Sequence, residues 1–145
     1  MKKAEELLAI CRELSEDAEF VSGEDIEKLA ELIIKSNRIF IAGAGRSGFA
    51  ARAFANRLMH LGLTVFFVGE TTTPSIQAND LLIIGSGSGE TGSLVTMANK
   101  ASGQNASVAT ITIYPQATIG ALSKVTVKLP GSTNKSDIDS GKVSI

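Results

Sequence analysis

Twice in this chain an apolar run ends in a glycine-rich turn that opens a helical segment. Residues 38–42 lead into Gly43-Ala44-Gly45-Arg46-Ser47-Gly48, and Leu81–Gly85 leads into Ser86-Gly87-Ser88-Gly89-Glu90-Thr91-Gly92. Strand, tight turn and helix in that order specify βαβ crossovers, which all-helical and all-β architectures do not contain. The rest of the sequence keeps the rhythm. Strands read over 38–42, 64–68, 81–85, 107–113 and 124–129, and helices over 47–61, 90–102 and 116–122. Gly62 and Gly103 stand where helix stops are expected, and Asn79-Asp80 forms a turn before the third strand. Right-handed crossovers place helices on both faces of a parallel sheet. The expected fold is therefore α/β, a three-layer, doubly wound, five-stranded parallel sheet; strand order is not readable from one sequence, and the flavodoxin-like 2-1-3-4-5 is the preferred one.

Two helices precede the first strand. Apolar residues at Leu7, Leu8, Cys11, Leu14, Ala18 and Val21 make one helical stripe over 3–21. Ser22 reads as an N-cap with Asp25 three residues on, and Ile26, Leu29, Ala30, Ile33 and Ile34 stripe a second helix ending near Ser36. These helices either pack on the domain or offer their apolar faces to a subunit interface. The reading is one domain over 1–130, with leading helices over 1–36 and an α/β core over 37–130, followed by a polar loop or tail over 131–145. A fifth strand with no helix after it leaves one sheet face thinly covered.

A formal net charge of −1 argues against a nucleic-acid partner, which calls for a basic patch. The lone cysteine, Cys11, excludes an intrachain disulfide and is expected to be buried in its helix. Glu5, Glu6, Arg12 and Glu13 interrupt any signal-peptide core, and no apolar run nears the ~20 residues that span a bilayer. The expected location is the cytoplasm, with no membrane partner.

The chemistry is concentrated in the two glycine turns. The first matches G-x-G-x-x-G, and Glu70 follows the second strand about 20 residues on, as a ribose-binding acid does in dinucleotide folds. A tight turn whose glycines allow close packing explains the same residues. The second turn favours another ligand. Ser86, Ser88 and Thr91 supply hydroxyls, Gly87 and Gly89 let the backbone approach, and the following helix start, read at Glu90, aims N–H groups and a positive dipole end at one spot. That combination suits a phosphate monoester. It is not a Walker loop, because no Gly-Lys-Ser/Thr is present. If both turns end adjacent strands they border one crevice, where Ser47 and the backbone near Arg46 reach the rest of the ligand.

Gly43–Gly48, Arg57-Leu58-Met59-His60, Val68-Gly69-Glu70 and the 85–91 loop together resemble the SIS (sugar isomerase) domain family, in its hexuloisomerase branch. The resemblance runs from about residue 5 to the end. It implies a phosphosugar isomerase that interconverts 3-hexulose 6-phosphate and fructose 6-phosphate in the ribulose monophosphate pathway of formaldehyde fixation. It implies no metal or nucleotide cofactor, and a homo-oligomer, commonly a tetramer. Ser47, Ser86, Gly87, Ser88, Gly89, Glu90 and Thr91 would bind the phosphosugar. In the family the fifth strand continues into a helix with a glutamate regarded as the base, which places that base beyond Ile145. A sugar-phosphate-sensing module without catalysis is the alternative, and an NAD-binding domain a further one.

Moving a carbonyl from C3 to C2 passes through an enediol, and one carboxylate or imidazole of near-neutral pKa could perform both proton transfers. His60 is the only histidine, but it sits in the last turn of its helix, where the dipole alone favours a cation. Its catalytic alternatives are acting across a subunit boundary or protonating a ring oxygen. Glu70 either contacts substrate or anchors a loop. Glu90 either contacts substrate or complements its helix dipole, and Arg46 either neutralises phosphate or pairs with a carboxylate at a subunit contact. Met59, Phe66 and Phe67 read as core.

Overall fold

A computed structural model describes residues 1–132; most of the 131–145 segment lies outside the described residues. Helices α1 (Glu5–Ala18) and α2 (Gly23–Lys35) lead into β1 (Ile39–Gly43), α3 (Gly45–His60), β2 (Val65–Phe67), β3 (Leu81–Gly85), α4 (Gly92–Gly103), β4 (Ser107–Thr112), α5 (Thr118–Leu122) and β5 (Val125–Lys128). The five strands are parallel in the order β2-β1-β3-β4-β5. This is the preferred order.

Side-chain alternation along the strands divides the core in two. On one face Ile39, Ile41, Leu81, Ile83, Ala109 and Val127 meet Leu29, Leu32 and Ile33 of α2 and Ala51, Ala55 and Leu58 of α3. On the other, Phe40, Ala42, Leu82, Ile84 and Val108 meet Leu94, Ala98 and Ala101 of α4 and Ile119 of α5. The central strands β1 and β3 are buried on both faces, which explains their unbroken apolar runs. The fifth strand is not left uncovered, because α2 packs against β5.

Local signals set the element ends. The Ser22 hydroxyl accepts from the Asp25 amide at 3.1 Å, as the N-cap reading required. Gly62 has φ +89° and donates its amide to the Met59 carbonyl, closing α3 as a C′ glycine. The sequence misplaces the next such residue: α4 runs through Gly103, and the left-handed position is Asn105, at φ +60°. Asn tolerates that conformation, so Gly103 was not needed for it.

Two core expectations fail. Cys11 is exposed, because α1 has no buried residue among those described. Met59 is also exposed, on the outer side of α3. Phe66 and Phe67 are half-buried on the short edge strand β2, and they pack against the core, Phe67 on one sheet face and Phe66 on the other.

The edge opposite the glycine turns is fastened by a bidentate ion pair. Arg38 donates through Nε and Nη2 to the carboxylate of Asp80, which also accepts from the Gln77 amide at 2.8 Å. Asp80 is 2% exposed. The pair ties the entry of β1 to the entry of β3, and Nη2 further binds the Ser75 carbonyl.

Candidate functional site

In the parallel ladder Gly43 of β1 is paired with Gly85 of β3, so the two glycine turns leave the sheet side by side. They flank the point where chain direction switches, since β2 lies to one side and β3 to the other. Crevices in doubly wound sheets form at that place, beyond the carboxyl ends of the strands. A Cβ on Gly48 would stand 2.8 Å from the Gly43 carbonyl oxygen, so α3 starts in direct contact with the strand it leaves. This brings Ser47 close: its carbonyl oxygen is 3.8 Å from where a Gly85 Cβ would be. A cavity of about 150 Å³ is lined by Ser47, Gly85, Ser86, Gly87 and Thr112, with Phe54 and Leu129 on its apolar wall.

The second turn is held from within. Ser86 is buried and its hydroxyl accepts from the Gly89 amide at 3.1 Å, while the Ser88 hydroxyl accepts from the Glu90 amide at 3.2 Å. Each hydroxyl keeps its own proton for a further acceptor. Gly89 adopts φ +68°, a left-handed position that glycine takes without strain. Thr91 is the N-cap of α4, but its side chain makes no capping bond. Helix geometry leaves the first-turn amides of Gly92, Ser93 and Leu94 without intrahelical acceptors. Hydroxyls, turn amides and a helix start therefore occupy one short segment.

Glu90 departs from its expected place. The helix begins at Gly92, two residues later than read from the sequence, so Glu90 precedes it. Its carboxylate instead reaches α5, accepting from the Thr118 amide at 2.7 Å and from the Thr118 hydroxyl at 2.8 Å. Those bonds, the amide's first, hold its pKa below the ordinary carboxylate value. Glu70 is also engaged. It pairs with Arg52, whose guanidinium lies over the Phe67 ring at 4.3 Å. That pair occupies the acid which a dinucleotide ribose would require.

His60 does not join the crevice of its own chain. It ends the 16-residue α3, which starts at the crevice and runs toward the other sheet edge, roughly 24 Å at 1.5 Å per residue. Sequence reasoning missed the supports supplied by β4 and α5. Thr112 donates its hydroxyl to the Gly87 carbonyl at 3.2 Å, and Thr118 binds Glu90 from 28 residues away. No local pattern encodes such partners.

Comparison with known proteins agrees with this architecture. The SIS domain model matches residues 32–141. The chain belongs to the SIS domain family. A Bacillus subtilis protein named 3-hexulose-6-phosphate isomerase is 46% identical over 132 residues, which is 91% of this chain and 71% of that protein. A protein of the same name from Mycobacterium gastri is 42% identical over 120 residues, 83% of this chain and 60% of that one. The crystal structure of a Methanococcus jannaschii protein, from which a 3-hexulose-6-phosphate isomerase function was inferred, superposes with a TM-score of 0.70 at 43% identity. That match covers 75% of this chain and 62% of the solved one. This SIS domain thus spans only part of the length of its relatives.

Proposed function

We propose that this SIS domain binds the phosphate of a 6-phosphosugar at 86–91 and serves the interconversion of 3-hexulose 6-phosphate and fructose 6-phosphate. The observation that carries the reading is the in-register pairing of Gly43 with Gly85, which sets Ser47 beside the hydroxyl-rich loop. The names of its relatives supply the substrate. In the proposed complex Ser86, Ser88 and Thr91 donate hydroxyl protons to phosphate oxygens, and the first-turn amides of α4 face the same charge. Bonds to a charged acceptor contribute about 1.5–3 kcal/mol each and a helix dipole about 0.3–1 kcal/mol. Gly87 and Gly89 let the backbone approach, Glu90 closes the loop, and Ser47 meets the sugar.

The phosphate anchors the substrate away from its reacting carbons, so binding energy is spent on orientation. A base then takes the proton from the carbon next to the carbonyl, an enediol forms, and the proton returns to the neighbouring carbon. Glu70 and Glu90 are held by Arg52 and Thr118, and His60 stands at the far edge. The base in this reading comes to the crevice from outside the described residues.

We read the active form as a cytoplasmic homo-oligomer, a tetramer, to which the exposed Leu7, Leu8, Ile10 and Leu14 of α1 offer an apolar surface.

Thermal-shift titration with fructose 6-phosphate and with NAD tests the ligand class. The phosphosugar should raise the melting temperature and NAD should not; the reverse result removes the isomerase reading. Ser86→Ala and Ser88→Ala should each weaken fructose 6-phosphate binding about tenfold, the equivalent of one charged hydrogen bond. Unchanged affinity in both variants removes the phosphate assignment.

A further inference from the structure

Glu90 lies between two residues assigned to the phosphate grip, and a carboxylate facing that anion would repel it. Its side chain is directed elsewhere, onto the first residue of α5. Other bonds run between the same two segments. The Ile119 amide donates to the Gly89 carbonyl at 3.1 Å, and the Ile113 amide to the Gly87 carbonyl at 3.2 Å. Gly89 also sits so close that an added Cβ would be 2.7 Å from Cβ of Ala117. Residues 87, 89 and 90 thus face the β4–α5 connection, while the hydroxyls belong to 86, 88 and 91.

We propose that Glu90 is a positioning residue whose carboxylate, through Thr118, latches the 86–91 loop to α5 in the shape that receives phosphate. The proposal rests on the reading that this loop binds the phosphate. The carboxylate suits the task in two respects. It accepts an amide and a hydroxyl at once with charge-assisted strength, and its engagement keeps the negative charge off the ligand. Its lowered pKa is the expected companion of those bonds. Thr118 acts with it as the second half of the latch. Neither residue touches substrate.

The experiment pairs Glu90→Ala, Thr118→Val, their double variant and Thr118→Ser. Backbone amide exchange over 86–91 is measured in the free protein, and affinities for inorganic phosphate and fructose 6-phosphate are measured by calorimetry. Glu90→Ala and Thr118→Val should each speed exchange across the loop while β1 keeps its protection. Each should weaken both ligands by the same factor, about tenfold for Glu90→Ala and less for Thr118→Val, which keeps its amide bond to the carboxylate. The double variant should be no weaker than Glu90→Ala, because that variant already loses both bonds, whereas Thr118→Val loses the hydroxyl and keeps the amide. Thr118→Ser retains both donors and should behave as wild type. Loss of fructose 6-phosphate with phosphate affinity and loop exchange unchanged would make Glu90 a sugar contact and overturn the proposal. Faster loop exchange at unchanged affinity would overturn it as well. A wild-type chain that binds neither ligand would instead reject the site reading, and this proposal with it.

Discussion

Two glycines of the 85–92 loop show how differently one residue type can be used. Gly89 has φ +68° and no room for a Cβ, whereas a Cβ on Gly92 would meet nothing within 4 Å. Gly89→Ala should lower stability by about 1–3 kcal/mol through backbone strain and collision with Ala117. Gly92→Ala should be neutral or stabilise by about 0.4–1 kcal/mol through the unfolded chain. Urea denaturation of the two variants distinguishes them, and equal effects would show that the loop relaxes freely. The pH response also belongs to this scale. Thr118 holds the folded pKa of Glu90 below its ordinary 4.5, so its latch is complete above that value. The contribution is lost as pH falls through the lower folded value. An NMR titration of the Glu90 carboxyl should therefore give a midpoint under 4.5, and one at or above it would contradict the hydrogen bonding described. Ser86, Ser88 and Gly89 were legible as a candidate phosphate cradle because they adjoin in sequence. The partner of Glu90 was not, since only the fold brings Thr118 across 28 positions.

At the level of elements, α2 shows both the reach and the limit of periodicity. Ile33 and Ile34 belong equally to its apolar stripe, yet Ile33 is 7% exposed and Ile34 77%. The first packs over the sheet face near β5, and the second points outward. Ile33→Ala should cost about 2–4 kcal/mol of stability from lost burial and the cavity left behind. Ile34→Ala should cost less than about 0.5 kcal/mol. Chemical denaturation checks both, and similar losses would mean that α2 is seated differently. Helix type and capping were legible here because both depend on neighbours three or four residues away. The role of α2 as the cover for β5 was not, because it joins the start of the chain to a strand about 100 residues later.

Across the whole molecule, the exposed apolar residues of α1 bear on assembly. Leu7 and Leu14 are 59% and 58% exposed, seven residues apart along one helix. If the proposed oligomer uses this face, Leu7→Glu with Leu14→Glu should lower the mass seen by sedimentation equilibrium while helical content stays unchanged. A wild-type chain that sediments as a monomer would remove the oligomer reading. The same scale separates what was legible from what was not. By itself the sequence determined the βα alternation and the two glycine turns, because each rests on contacts between near neighbours and on backbone freedom. The tertiary structure decided the rest. It set Gly43 in register with Gly85, turned Glu90 toward Thr118 and Glu70 toward Arg52, exposed Cys11, and sent His60 to the far edge. These outcomes depend on strand pairing, helix direction and the surface left after packing. None of those quantities is local, so the sequence offered the parts of the proposed phosphate site and the fold alone put them together.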